Sequence, residues 1–244
     1  MALTIDLNCD LGEGAGHDAE LMPLITSANI ACGAHAGDPA TMRATLALAR
    51  RHGVAVGAHP GFADREHFGR RELPLSPAEL RATIIEQLER FAALGNFSHV
   101  KLHGALYNLA ARDRTVAAVA VDAIRAIAPA AMIFALAGSE MVRVCEQRGI
   151  AVAREAFCDR AYQSDGSLTP RSRPDALIHE PSAAVAQVLR LVREGVVRAT
   201  DGTDVPLRAD TLCLHGDGPH AVAFARHLRA ELAAAGIAVR AVSR

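Results

Sequence analysis

Short apolar runs alternate with longer amphipathic stretches along almost the whole chain. The apolar runs predict β-strands at 3–8, 28–32, 54–58, 99–103, 131–136, 150–157 and 211–215, with a further short run at 237–242. Most of the stretches between them carry apolar residues at helical spacing. Regular alternation of strand and helix predicts parallel strands joined by right-handed crossovers, with the helices on the outside.

Several helix boundaries are marked by capping residues. Asp38 followed by Pro39 predicts the start of a helix that Gly53 ends, and Ser76 with Glu79 has the spacing of a capping box. Further starts and stops are indicated at Asp113, Pro129, Ser139 and Gly149, and helical patterns recur at 181–194 and 218–235. The helices are therefore expected to separate the strands one by one.

Seven such units favour a closed, TIM-like (β/α) barrel of a single domain over residues 1–244. An open doubly wound sheet remains the alternative, because its buried strands are equally apolar. Two long polar loops, 59–75 and 158–180, interrupt the alternation and are typical of lids or binding loops. Asp201–Gly202 predicts a small hairpin at the periphery.

Composition narrows the class of protein. Half of the 244 residues are apolar but only 4% are aromatic, which predicts a core of Ala, Val, Leu and Ile. A net charge of -1 gives no reason to expect nucleic acid or an anionic membrane as a partner. No membrane-spanning run or basic-then-apolar signal pattern is visible, and the five cysteines contain no C-x-x-C pair. We expect a soluble, cytoplasmic protein without a disulfide framework or a cysteine zinc site.

Histidines beside glycine or alanine follow four of the strands. They are His35, His59, His103 and His215, and the first strand ends instead on Asn8, Asp10 and Glu13. The carboxyl ends of parallel strands meet at one face in barrels and open sheets alike. A single histidine there is often structural, but the joint pattern predicts one shared site.

Two kinds of chemistry fit these residues. Asp10, His35 and His59 have the composition of a metal site that activates water. Without a metal, the same carboxylate and imidazoles form acid-base pairs that transfer protons near neutral pH. No local motif decides between the two.

Other charged residues extend the candidate site. Lys101 lies in an apolar run, so its ammonium must meet an acid or an anionic substrate. Arg70 and Arg71 lie in the first long loop, where guanidinium groups can grip a carboxylate or phosphate. The glycine-rich stretch 12–16 matches no nucleotide-binding motif.

Six segments in order resemble one known family. They are Asp6–Glu13, Ser27–Pro39, Gly57–Asp64 with Phe68–Arg71, His103–Asn108, Glu155–Tyr162 and His215–Asp217, and they resemble the LamB/YcsF family over nearly the whole chain. The resemblance implies a barrel of the glycoside hydrolase and polysaccharide deacetylase type, commonly seven-stranded. It also implies ATP-dependent opening of the 5-oxo-L-proline lactam to L-glutamate, in a complex with two other subunits, B and C.

The resemblance and the strand-end pattern together give a hypothesis for the site. It assigns catalysis to Asp10, His35, His59, Lys101, His103, Asp159 and His215, and substrate binding to Asn8, Glu13, Arg70, Arg71, Tyr107, Arg160 and Asp217. ATP with Mg is the expected cosubstrate, and no tightly bound metal is expected. If a metal binds, Asp10, His35 and His59 are its candidate ligands.

Two departures from the family pattern and two alternatives accompany this hypothesis. Leu102 stands where the family usually has proline, and Cys158 where it usually has alanine, and neither replaces an ionisable group.

One alternative is a metal-dependent deacetylase or amidohydrolase that uses Asp10, His35 and His59. The other is a non-catalytic subunit that delivers substrate to B and C.

Overall fold

Seven parallel strands close on themselves at the centre of the molecule. The computed structural model describes residues 3–216, 218 and 220–243. Its strands are β1 (Thr4–Leu11), β2 (Ser27–Ala31), β3 (Ala55–His59), β4 (His99–Lys101), β5 (Met132–Leu136), β6 (Val152–Phe157), β7 (Val196–Arg198), β8 (Asp204–Pro206), β9 (Thr211–Leu214) and β10 (Ala238–Val239). Strands β1 to β6 pair in parallel in chain order, β6 pairs with β9, and β9 pairs with β1. The expected TIM-like barrel of seven strands is confirmed.

Helices follow most barrel strands and cover the outside. They are α1 (Asp18–Leu21), α2 (Pro39–His52), α3 (Pro77–Ala92), α4 (Gly104–Arg112), α5 (Arg114–Ile127), α6 (Glu140–Gln147), α7 (Pro181–Glu194) and α8 (Ala221–Ala234), with a 3-10 turn at Met22–Leu24. The expected caps are present. The Asp38 carboxylate accepts from the Thr41 amide at 2.7 Å, and Ser76 and Glu79 form a reciprocal capping box.

The peripheral elements differ in part from the expectation. The hairpin around Asp201–Gly202 is confirmed as the antiparallel pair β7 and β8. The last apolar run forms only β10, which pairs with β1 on the outside of the barrel through Thr4 and Ile5. Helix α4 was not predicted, because it follows β4 directly and His103 at its start provides no side-chain cap.

The interior of the barrel is polar, which the apolar runs did not predict. In β1, Asp6, Asn8 and Asp10 face the interior, whereas the side chains between them pack outward against the helices. Inside the barrel, the Asn29 amide donates to Asn8 Oδ1 and to Asp10 Oδ1, both at 2.8 Å. His99 Nε2 lies 2.9 Å from Asn29 Oδ1. A chain of polar contacts therefore runs through the barrel up to the strand ends.

Two long loops cover the carboxyl ends of the strands. The segments 60–76 and 158–180 contain no helix or strand, apart from isolated bridges such as Arg160 with Leu177 and Tyr162 with Leu168. This agrees with the two polar loops expected from the sequence. In the described part of the chain, every helix is too short or too polar to cross a bilayer.

Candidate active site

A cavity of about 750 Å³ opens at the carboxyl ends of the barrel strands. Nine of the candidate residues line it: Asp10, Glu13, His59, Arg70, Lys101, His103, Tyr107, Arg160 and His215. Asn8 lies deeper in the barrel, His35 lies behind Glu13, and Asp159 lies behind His215. Asp217 lies outside the described residues. The predicted convergence of strand ends on one site is therefore present in the fold.

Glu13 and three histidines form a compact group, which we name the histidine cluster (Glu13, His35, His59 and His103). Glu13 Oε1 lies 3.1 Å from His35 Nε2, 3.2 Å from His103 Nδ1 and 3.7 Å from His59 Nε2. His103 Nδ1 lies 3.0 Å from His59 Nε2. The rings of His35 and His103 stack in parallel at 3.7 Å between centroids. One carboxylate oxygen is thus the centre of the cluster.

The local backbone brings these side chains together. Gly12 adopts a left-handed conformation with φ of 71°, which turns the chain after β1 so that Glu13 points back over the barrel. His59 ends β3, and His103 follows β4 by two residues. His103 Nε2 lies 2.8 Å from the carbonyl oxygen of Phe68, so the loop after β3 holds the ring from the other side.

Asp10 and Lys101 connect the cluster to the barrel interior. Asp10 Oδ2 lies 3.3 Å from His59 Nε2, and its Oδ1 accepts from Lys101 Nζ at 2.8 Å. Lys101 Nζ also lies 2.9 Å from Glu155 Oε1, and Tyr107 donates its hydroxyl to Glu155 Oε2 at 2.7 Å. The expectation that Lys101 meets an acid is confirmed, with two carboxylates rather than one.

Burial and charge set the protonation of these groups. Burial would raise the pKa of Asp10, but the charges of His59 and Lys101 hold it well below its usual range. Burial alone would lower the pKa of His59, but Asp10 outweighs burial and the pKa is raised. Burial lowers the pKa of His35 to about 4 and also lowers that of His103. His59 is therefore the most basic imidazole of the cluster.

Glu13 and Lys101 remain charged despite their burial. Burial would raise the pKa of Glu13, but hydrogen bonds to His103 and His35 hold it well below its usual range. Burial would lower the pKa of Lys101, but Asp10, Cys213 and Glu155 raise it well above its usual value. The floor of the cavity therefore combines anionic carboxylates with a buried ammonium.

A second group of residues at the cavity is the His215 group, which consists of Asp159, Arg171 and His215. His215 Nδ1 lies 2.8 Å from both carboxylate oxygens of Asp159, so this nitrogen carries a proton and donates it. Arg171 donates to His215 Nε2 at 2.6 Å. Arg171 belongs to the loop 158–180 and is exposed.

The predicted arginines have different environments. Arg70 lines the cavity with its guanidinium 5.0 Å above the Phe68 ring. Arg71 is more than half exposed and lies 3.5 Å from Asp64 outside the cavity lining. Arg160 is buried and donates to the carbonyl oxygens of Ala176 and Thr169, so its visible contacts hold the loop 158–180 together.

The candidate set lacked two residues that the structure places among these groups. Glu155 lies in β6 and pairs with Lys101, but a strand position alone gives no sign of a partner across the barrel. Arg171 lies in the second polar loop, which the sequence marked as functional without singling out this residue. The hypothetical ligand set for a metal also shifts, because Glu13 and His103 form a close group with His35 and His59, and Asp10 is not part of that group.

The LamB/YcsF family model matches residues 5–244 of this chain. The chain belongs to the LamB/YcsF family. A protein of Methylococcus capsulatus, named as the A subunit of 5-oxoprolinase, is 52% identical, covering 99% of this chain and 97% of its own. The protein of the same name from Bacillus subtilis is 50% identical, covering 98% of this chain and 97% of its own. The resemblance inferred from the six segments is therefore confirmed.

Solved structures agree on the architecture of this family member. The lactam utilization protein from Thermus thermophilus superposes with a TM-score of 0.91 at 45% identity, covering 98% of this chain and 100% of that one. A family 4 carbohydrate esterase from Streptomyces lividans superposes with a TM-score of 0.51 at 13% identity, covering 98% and 93%. The second similarity concerns the fold alone.

Proposed function

We propose that this chain is the A component of an ATP-dependent 5-oxoprolinase that opens 5-oxo-L-proline to L-glutamate. The observation that carries the proposal is identity of about one half, over almost the full length, to several proteins named as the A subunit of 5-oxoprolinase. A cavity of about 750 Å³ with a few convergent polar groups suits a small molecule of this kind.

The chemistry of the lactam explains why ATP is needed. Amide resonance makes the carbonyl carbon a poor electrophile. Transfer of the γ-phosphoryl group to the carbonyl oxygen releases ADP and turns that oxygen into a leaving group. A first water then adds to the carbon, and the ring C–N bond breaks as the nitrogen takes up a proton, which gives an acyl phosphate. A second water attacks the same carbon, and inorganic phosphate leaves with the former lactam oxygen, so both oxygens of the new carboxylate come from water. The protein must deprotonate water and stabilise charge on oxygen.

The cavity floor offers groups for both tasks. In the proposal, Asp10 accepts the proton from water, and His59, whose Nε2 lies 3.3 Å from Asp10 Oδ2, helps to set its position. Lys101 holds Asp10 in place and compensates its charge, since its ammonium is shared with Glu155. This assigns Lys101 a positioning role, in place of the contact with an anionic substrate that the sequence left open.

The walls offer groups for substrate recognition. In the proposal, Arg70 binds the substrate carboxylate from the first long loop, and the oriented imidazole of His215 serves proton transfer. Asn8, Arg71 and Arg160 make protein contacts in this structure, and their assignment to substrate stays a prediction. The assignment of Asp217 also stays a prediction.

The wider setting of the reaction is also part of the proposal. We expect ATP with Mg to bind mainly on a partner subunit, because the glycine-rich stretch 12–16 lacks a phosphate-binding motif. Subunits B and C are the proposed partners. A cytoplasmic location is supported by the five cysteines, all of which are buried free thiols.

The decisive experiment measures ADP release with this chain alone, with subunits B and C alone, and with all three. We expect release only from the complete complex and only with 5-oxoproline present. In that complex, Asp10→Asn should lower turnover by about 100-fold or more, since a positioned proton acceptor contributes about that much. The control is His52→Ala, at an exposed position on the last turn of α2.

The outcomes separate the alternatives. Unchanged turnover in Asp10→Asn would contradict a catalytic role for the cavity floor and favour a subunit that only delivers substrate. Hydrolysis of amides by this chain without ATP would contradict the ATP-dependent proposal and favour a deacetylase or amidohydrolase.

A further inference from the structure

The histidine cluster brings four potential ligand atoms close together. These atoms are Glu13 Oε1, His35 Nε2, His59 Nε2 and His103 Nδ1, and all lie within 4.8 Å of one another. The three histidines are buried, and Glu13 is nearly so, with 8% of its side chain exposed. Such close packing of polar atoms requires positive charge between them, because a carboxylate and unprotonated imidazole nitrogens repel one another.

Hydrogen bonds to backbone carbonyls fix how two of the rings are oriented. His59 Nδ1 lies 2.8 Å from the carbonyl oxygen of Lys101, and His103 Nε2 lies 2.8 Å from that of Phe68. A carbonyl oxygen only accepts, so both of these nitrogens carry a proton. In the neutral rings, the lone pairs of His59 Nε2 and His103 Nδ1 therefore face each other across 3.0 Å.

This arrangement is the usual one for histidines that bind a metal. Such histidines donate their second ring N–H to a backbone carbonyl or a carboxylate, which sets the tautomer and aims the free nitrogen at the ion. Protons could also occupy the cluster, but a single proton bridges only two of the four atoms. One ion in contact with all four atoms explains their closeness better than a network of shared protons does.

The spacing of the atoms supports the same interpretation. Ligand atoms of a tetrahedral zinc-like ion lie about 2.0–2.2 Å from the metal, and hence about 3.3–3.6 Å from each other. Four of the pairs in the cluster measure 3.0, 3.1, 3.2 and 3.7 Å. These four distances lie near that range, and the parallel rings of His35 and His103 would tilt toward a bound ion.

We propose that Glu13, His35, His59 and His103 bind one divalent first-row transition metal ion. Three imidazoles and one carboxylate suit Zn²⁺, Co²⁺, Fe²⁺ or Mn²⁺, whereas Mg²⁺ and Ca²⁺ prefer oxygen ligands. Asp10 is not a ligand in this proposal: Lys101 and Asn29 donate to its Oδ1, its Oδ2 pairs with His59, and neither oxygen belongs to the group of four mutually close atoms. The inference rests on the geometry alone, goes beyond the proposed 5-oxoprolinase activity, and departs from the expectation that no metal is tightly bound.

The surrounding chain holds the ligands in place before an ion arrives. A Cβ atom at Gly61 would lie 3.0 Å from His103 Cβ and 3.1 Å from His35 Nδ1. Because the backbone approaches the rings so closely, they have little freedom to turn away from Glu13. Glu13, His59 and His103 also line the cavity, so a bound ion would be within reach of a small ligand.

The test uses the isolated chain and Co²⁺ as the probe, so it requires neither partners nor turnover. Protein stripped with a chelator is titrated with CoCl₂ while visible absorption and Tm are recorded. We expect one ion per chain, an intense visible band typical of low coordination number, a rise in Tm, and displacement by Zn²⁺. Glu13→Gln and His103→Gln should weaken binding by at least about 100-fold, and His52→Ala should bind like the wild type.

Two results would overturn the proposal. One is a folded wild-type protein that shows neither a visible band nor a Tm shift up to about 1 mM Co²⁺. The other is binding that persists unchanged in Glu13→Gln, which would place the ion elsewhere. Circular dichroism of each variant checks that it is folded, and the wild-type titration decides the matter if a variant is not. Failure of ADP release in the complex would leave this result intact, and the reverse also holds.

Discussion

The two sides of the cavity are built in different ways. The histidine cluster is buried, and its rings are fixed by backbone carbonyls and by each other at ring distances as short as 3.7 Å. The His215 group depends on contacts between side chains, and Arg171 reaches it from a long loop and is exposed. A side chain that is hydrogen-bonded to the backbone at a strand end has few alternative conformations. A side chain that depends on a residue of a long loop can change its partner more easily.

This difference suggests that the two sides of the cavity have different roles in the reaction. Most of the proposed reactive groups, with Asp10, His59 and Lys101 among them, stand on the side where strands set their positions. We expect substrate to enter and product to leave on the side formed by the loop 158–180, because loops that carry such side-chain contacts move more easily than strands. Three predictions test whether the two sides differ in this way, and each is measured as a change in the free energy of unfolding.

The largest effect is expected from Lys101→Met. The substitution keeps the length of the side chain but leaves the carboxylates of Asp10 and Glu155 buried without the ammonium between them. Removing one partner of a buried ion pair costs about 3–5 kcal/mol. Guanidinium unfolding, followed by circular dichroism, measures the loss. Arg171→Met is the matched variant on the other side of the cavity, where a surface change costs about 0.5 kcal/mol or less.

A double variant sharpens this prediction. Glu155→Gln removes one of the two carboxylates that Lys101→Met leaves buried without a partner charge. The double variant should therefore be more stable than Lys101→Met alone. If Lys101→Met and Arg171→Met lose equal stability, the contrast between a rigid floor and an adaptable wall is wrong.

An intermediate effect is expected from a pair of glycines. Gly69 and Gly138 both have positive φ, 63° and 78°, so alanine at either one costs about 1–2 kcal/mol for the backbone. At Gly69 the added methyl would lie 2.8 Å from His35 Cβ and 2.9 Å from His103 Cδ2, whereas at Gly138 nothing lies within 4 Å. Gly69→Ala should therefore cost about 1–3 kcal/mol more than Gly138→Ala, because the cluster must shift.

Binding data complete the comparison of the two glycines. Gly69→Ala should also weaken Co²⁺ binding, since it displaces two proposed ligands, and Gly138→Ala should not. Equal stability losses in the two variants would mean that the histidine rings move aside for the methyl group at little cost and are not held in place.

The sequence contained most of the information for the framework of this site. Apolar runs and caps such as Asp38 and Ser76 are local signals, and they located the strands and most helices to within a few residues. The convergence of strand ends follows from parallel topology alone, so His59 and His103 could be placed together from the sequence. Helix α4 was missed because its start lacks a capping side chain.

What the sequence could not supply were pairings across the barrel. The contact between Lys101 and Glu155 joins β4 to β6, and no local pattern encodes which inward side chains meet. Asp6 and Asn8 lie in a run that reads as apolar because the residues between them face the helices. The sequence also contained no sign that Glu13 points inward, since that direction depends on the left-handed turn at Gly12.

The smallest effect is expected from Asp159→Asn in the His215 group. The amide oxygen can still accept from His215 Nδ1, so only the charge is lost and the cost should be about 1 kcal/mol. Burial would raise the pKa of Asp159, but the charge and hydrogen bond of His215 lower it below 3.8. A carboxyl whose pKa is lower in the folded state stabilises the protein above its ordinary pKa and loses that contribution on acidification.

The difference in stability between wild type and Asp159→Asn should therefore be constant at neutral pH and shrink as the pH falls below about 3.8. Asp122→Asn is the control, because Asp122 is an exposed carboxylate on α5 that pairs with Arg148 at 2.6 Å, and such pairs contribute little. Turnover of the complex should fall in Asp159→Asn despite the small loss of stability, since an imidazole without a neighbouring carboxylate charge is a weaker proton acceptor. A stability loss as large as that of Lys101→Met would mean that the wall formed by the loop is as rigid as the floor, and substrate entry would then require another route.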